Sequence, residues 1–291
     1  MKLDRRSFLL GCALPLVGKP SQRFSICSET FAGMSFAEAC KAARRTGYAG
    51  IEIEPAHLGP DPAALTATDR RDVRRAMEGE GLHFVGLHSF LKAPAGLHLT
   101  TPDAAVRSRT WDYFARLLDL AADLGDRSLM VLGSSKQRAV LEGSSVETAV
   151  GHLTEGLARI APAAEKHGVT ILMEPLAPHL CNLVNTLAEA LRIVRAVNSP
   201  AVQTMLDTHN TAAEKLPLDA LVREYLPFIR HVHLNEMDGQ RPGAGNFPFG
   251  LLLHTLQDAG YGGWLSVEVF DFQPDGETVA RLAAEYLRKV S

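Results

Sequence analysis

The chain has 291 residues, is 46% hydrophobic and 22% charged, and carries a formal net charge of −3. That length and balance fit one large domain with a substantial core plus a short extension, rather than two domains. The slightly acidic charge gives no electrostatic footprint for a nucleic-acid partner.

The first segment reads MKLDRRSFLLGCALPLVGKPSQRF. Arg5-Arg6 ahead of Ser7-Phe8-Leu9 resembles the twin-arginine export motif. The apolar stretch 8–18 that follows has the length of a signal h-region and is too short to span a bilayer. We therefore expect a leader over 1–22 and export to the periplasm, with cytoplasmic residence as the alternative, because no A-x-A cleavage site precedes Phe24. No later segment is apolar enough for a membrane span. Cys12, Cys27, Cys40 and Cys181 form no CxxC pair and read as thiols rather than a disulfide framework.

From residue 23 to 291, strand and helix signals alternate without interruption. Strands are expected near 24–28, 48–54, 82–88, 127–133, 169–174, 202–207, 229–234 and 264–270. Helices are expected near 35–46, 67–80, 103–124, 146–167, 186–197, 217–224, 248–259 and 277–289. Ser35 with Glu38, and Thr186 with Glu189, have the spacing of capping boxes. Gly47, Gly81, Gly125, Gly168 and Gly260 follow helices as C-terminal caps would. Eight such units predict an α/β fold, a single (β/α)8 TIM barrel. A doubly wound open sheet would want a glycine-rich turn after its first strand, and Ser28-Glu29-Thr30-Phe31 stands there instead. The long loops 55–66, 89–102 and 133–145 follow strands two to four, on the face where substrate-shaping loops belong.

Four side chains fall at the ends of the last four strands: Glu174 in VTILMEP, Asp207 in VQTMLDTHN, His233 in IRHVHLNE and Glu268 in WLSVEVF. The gaps between them are each about one helix plus one strand. Parallel barrel strands present their carboxyl ends to one face, so the four should meet in one pocket. Alternation puts Glu268 on the opposite face from Val267 and Val269, and Glu174 on the same face as Leu172. Two Glu, one Asp and one His suit one divalent metal ion such as Mn, Mg, Co or Zn. Glu54, His57, His88 and Lys136 fall at or just after strands two to four and are candidates to line the pocket. His231 lies one layer below His233, either as a core histidine or as support for the ligands.

The motifs MEPL at 173–176, Asn185-Thr186, LDTHN at 206–210, HVHLNE at 231–236, Pro242-Gly243-Ala244-Gly245 and GYGGWLSVEVF at 260–270 resemble the xylose-isomerase-like TIM-barrel superfamily. They are most similar to its sugar isomerase/epimerase branch of ketose 3-epimerases and hydroxypyruvate isomerases. The resemblance implies that Glu174, Asp207, His233 and Glu268 hold the metal, that Glu174 and Glu268 are also the acid/base pair, and that His209 contacts substrate. The reaction so implied removes a proton α to a carbonyl of a small sugar, ketose or keto-acid, through an enediolate that the metal stabilises. Two positions depart from the 3-epimerase pattern. Leu180 stands where a substrate-binding Glu is expected and Gly239 where an Arg is expected, with Arg241 close by as a substitute. Enolate-forming lyases of the inosose or dehydroshikimate dehydratase kind share the scaffold and stay open. A sugar-binding protein without catalysis would not need both glutamates. An apurinic-site nuclease would need more His and Asp ligands, and Asn210 stands where one of those would be. The sequence leaves the oligomeric state open, including a homo-oligomer.

Overall fold

The computed structural model describes residues 21–291, so all but the end of the leader expected over 1–22 lies outside the described residues. Eight parallel strands close into one barrel in chain order: β1 Arg23–Cys27, β2 Gly50–Ile53, β3 His83–His88, β4 Leu129–Leu132, β5 Thr170–Met173, β6 Val202–Asp207, β7 Ile229–Leu234 and β8 Trp264–Val267. β1 seals the ring against β8, with Ser25 in register with Ser266. Around it run α1 Phe36–Thr46, α2 Ala67–Gly79, α3 Ala104–Leu124, α4 Ser135–Arg138, α5 Val146–His167, α6 Leu187–Val197, α7 Leu218–Tyr225, α8 Phe249–Asp258 and α9 Gly276–Val290. Eight of these are the expected helices. The ninth, α4, is a single turn inside the loop expected over 133–145. No described helix is long and apolar enough to cross a membrane, and Cys27, Cys40 and Cys181 are buried free thiols.

Local chemistry sets most element ends. Ser35 and Glu38 form the expected capping box: Ser35 Oγ accepts from Glu38 N at 3.3 Å and Glu38 Oε2 accepts from Ser35 N at 2.9 Å. Gly47 and Gly168 take the left-handed cap conformation. Two expectations need correction. Thr186 caps α6, but Glu189 bonds to Asn185 N at 2.6 Å and so does not complete a box. Gly125 is extended rather than left-handed, and a side chain there would press on Phe84.

The outer faces of the strands pack on the helices in one continuous core. Inside the barrel the two halves differ. β4, β5 and β6 contribute Val131, Leu172 and Met205, a small apolar cluster. β7, β8, β1 and β2 contribute His231, His233, Ser25, Ser266 and Glu52, all fully buried. Buried polar groups are costly unless hydrogen-bonded. Ser25 and Ser266 bond to each other at 2.5 Å, and Glu52 is shared by the two histidines.

Candidate metal centre and active site

Each of the four predicted side chains arrives by a different route. Asp207 is the last residue of β6 and His233 lies within β7. Glu174 and Glu268 each sit one residue past their strands, which end sooner than expected because other partners take over the ladder. At β5, Thr204 Oγ1 donates to Met173 O at 2.7 Å and Arg138 Nη2 donates to Glu174 O at 2.6 Å. After β8, Phe270 N donates to Gly239 O at 2.8 Å and turns the chain toward the loop that follows β7.

The four meet. One donor atom from each of Glu174, Asp207, His233 and Glu268 lies within 4.8 Å of every other. His233 Nδ1 is 3.0 Å from Glu268 Oε2 and 3.9 Å from Glu174 Oε1, while its Nε2 is 3.1 Å from Glu52 Oε1. The imidazole therefore turns Nδ1 toward the carboxylates and keeps Nε2 on a buried acceptor. That arrangement fixes the tautomer a metal-ligating histidine needs.

Three carboxylates this close in a buried site repel one another. Burial, then Glu268 and Asp207, push Glu174 well above the usual carboxylate range. Burial and Glu268 raise Asp207 to about 6. Burial also opposes the charge on Glu268, but His233 and His88 outweigh it and hold that carboxyl low. A divalent cation at the common point would neutralise this crowding, so the donor set fits one.

A layer of supporting residues orients the four. Asp207 accepts from His209 N at 2.9 Å and Asn210 Nδ2 at 2.6 Å. Asn210 Oδ1 in turn accepts from Ala177 N at 2.8 Å, tying β6 to the loop after β5. His88 Nδ1 is 3.2 Å from Glu268 Oε1, and its Nε2 is 2.9 Å from Glu29 Oε2. Glu52 bonds His231 Nε2 at 2.7 Å as well as His233, so His231 is joined to His233 through a shared buried carboxylate. Gly133 leaves room for Glu174: a Cβ there would overlap its Oε2.

Over the four lies a cavity of about 460 Å³, lined in part by Glu174, Asp207, Glu268, Asn210 and Lys136. His88 supports it from below through Glu268. The other candidates are placed elsewhere. Glu54 pairs with Lys92 at 2.8 Å, and it is Lys92 that lines the cavity. His57 bonds Met34 O at 3.0 Å and packs edge-on against Phe36. His209 is buried between His179 and Phe270, with Nδ1 on Glu236 O at 3.2 Å and Nε2 unpartnered. Arg241 donates to the carbonyl of Pro242 at 3.1 Å. None of these four is among the lining residues: Glu54, His57 and His209 are engaged by partners from other segments, and Arg241 by its own loop.

A model of the xylose isomerase-like TIM barrel matches residues 40–290. The chain belongs to that family. It is 25% identical over 260 residues to fructoselysine 3-epimerase of Escherichia coli O157:H7, covering 86% of this chain and 91% of that one. It is 26% identical over 200 residues to L-ribulose 3-epimerase of Mesorhizobium japonicum, covering 69% and 67%. A crystal structure of D-psicose 3-epimerase in the presence of D-fructose superposes with a TM-score of 0.80 at 21% identity, over 92% of this chain and 99% of the other. With epimerases as relatives across most of its length, the chain is an enzyme of the isomerase class.

Proposed function

We propose that this family member is a divalent-metal-dependent epimerase or isomerase of a small ketose or related keto-acid. Glu174 and Glu268 exchange protons with the carbon next to the carbonyl. The supporting observation is the placement of these two buried carboxylates. They come from β5 and β8, strands separated by two others, and both line the same cavity. The relatives named as fructoselysine and L-ribulose 3-epimerases support a keto sugar. A Mn, Mg, Co or Zn ion held by Glu174, Asp207, His233 and Glu268 would polarise the substrate carbonyl as a Lewis acid. Glu268, anchored through one oxygen by His88 and through the other by His233, is fixed in direction for taking or returning a proton. Glu174, whose backbone Arg138 clamps, works from the other strand end. Return of the proton to the opposite face of the same carbon is epimerisation, and return to the neighbouring carbon is isomerisation. Asn210, spent on orienting Asp207, acts as a positioning residue rather than as a ligand for a further ion.

Metal-loaded protein incubated in D₂O with a panel of free and substituted keto sugars and hydroxy-keto-acids is expected to wash deuterium into the carbon α to the carbonyl, read by NMR. A metal-loaded enzyme that exchanges none of them would refute the reading.

We also propose that the protein is exported. Arg5-Arg6 and the short apolar run 8–18 motivate this. Fractionation of the host should find it outside the cytoplasm, and Arg5→Lys with Arg6→Lys should retain it. Wild-type protein found wholly in the cytoplasm would overturn the proposal.

A further inference from the structure

The cavity wall changes character around its rim. β3, β4 and the loops after them supply Ser89, Lys92, Ser134, Lys136 and Gln137, all able to bond sugar hydroxyls or a charge. The loop after β5 and the segment after β8 supply Leu176, Leu180 and Phe270. Leu180 and Phe270 are 39% and 52% exposed, two of the few large apolar side chains left open to solvent among the described residues.

Phe270 is open yet fixed. Its backbone N–H is bonded to Gly239 O at 2.8 Å, and its ring meets His209 edge-on with centroids 5.1 Å apart. The ring also fills the space beside Gly239, where an added Cβ would lie 2.5 Å from Phe270 Cδ2. Gly239 is at φ +80, in the left-handed region that favours glycine. No polar side chain can therefore reach the cavity from position 239, and position 180 offers only Leu. The side chains that line the cavity on this stretch of rim, Leu176, Leu180 and Phe270, offer no hydrogen bond to a hydroxyl. A free ketose carries hydroxyls along its whole length, and those placed here would lose water without gaining partners. At about 460 Å³ the cavity is in the range that holds drug-sized ligands.

We infer that the substrate is a keto sugar bearing an apolar or alkyl substituent beyond its reacting carbons, a glycoside or N-alkyl conjugate rather than a free ketose. The substituent lies against Leu180 and Phe270. The sugar end of this inference rests on the enolising activity proposed above. The substituent end rests only on the wall.

The test compares fructose with 1-alkylamino-1-deoxyfructose, and 3-keto-glucose with a phenyl 3-keto-glucoside, on the metal-loaded full chain. The readout is kcat/KM for solvent-deuterium exchange. A substituted compound is expected to exceed its parent by about 10-fold or more, the scale of apolar-pocket discrimination. Leu180→Glu and Phe270→Ser should each bring that ratio toward unity. Circular dichroism on both variants confirms that they fold. Parent compounds that exchange as fast as the substituted ones, or a ratio that survives both variants, would overturn the inference. So would a changed oligomeric state in Leu180→Glu with the ratio intact, since the wall would then belong to a contact with a second copy. If no compound exchanges, the enolising activity fails, and the substituent is judged by thermal shift on the same pairs. A larger shift with the substituted compound, lost in Leu180→Glu, supports it; equal or absent shifts overturn it.

Discussion

Glu174→Gln and Glu268→Gln are each expected to lower turnover by at least about 10²-fold, the scale of losing general acid–base catalysis. Glutamine keeps the shape and one oxygen ligand but cannot take a proton from carbon. The two variants should differ from a simple loss of activity. If each carboxylate serves one face of the substrate, either single variant still exchanges deuterium on one face while failing to complete inversion. Glu268→Gln should carry an additional effect, because both its oxygens are used: Oε1 faces His88 Nδ1 at 3.2 Å and Oε2 faces His233 Nδ1 at 3.0 Å. An amide can satisfy only one of those contacts as an acceptor. Turnover close to wild type in either metal-bearing variant would make that glutamate a ligand only and would end the two-base mechanism.

Glu52 should give the largest effect outside the four ligands. It is fully buried and accepts from His231 at 2.7 Å and His233 at 3.1 Å. Burial alone would raise its pKa, but the two histidines hold it well below the usual range. Glu52→Gln retains one acceptor oxygen and places an N–H₂ beside the other imidazole, so His233 loses its fixed tautomer or His231 loses its partner. Metal affinity is expected to fall by about 10–100-fold, the usual result of losing a partner behind a metal-binding histidine. Glu52→Ala should also destabilise the fold by about 3–5 kcal/mol, as expected when one member of a buried ionic cluster is removed. Competition with a chelator measures the first effect and urea unfolding the second. Unchanged metal affinity in Glu52→Gln would leave Glu52 as packing alone.

Glu52 also shows where the sequence was legible and where it was not. The barrel and the meeting of these four side chains are legible because strand-end position and repeat spacing are encoded locally: an apolar run, a polar residue at its carboxyl end, then a helix signal. Glu52 carried the same local sign, a carboxylate between Ile51 and Ile53 just as Glu268 sits between two valines. It lies in mid-strand, however, and the strand-end rule pointed to Glu54, which the structure pairs with Lys92. His57 is a candidate by its nearness to a strand end, and Arg241 by its nearness to the position of an expected Arg, but a loop's course is set by contacts distant in sequence. The hydrogen bond of His57 to Met34 O is one of these. Arg138 had no sequence signal. It is fully buried, with its guanidinium donating to Leu183 O at 3.1 Å and Glu174 O at 2.6 Å. A charged residue in a long polar loop reads as solvated until the fold closes over it.

The central claim is that one ion at four strand ends makes the active site. Its most direct measurement is metal content by mass spectrometry alongside turnover, on the same preparations of wild type, Asp207→Asn and His233→Ala. The wild type should hold about one divalent ion per chain, and chelation should abolish turnover. Both variants should lose ion and activity together. Ion occupancy should also fall as pH drops through about 6, because protons then compete at Asp207 and at the still more raised Glu174. Full turnover in chelated wild-type protein, or two or three tightly held ions per chain, would contradict it.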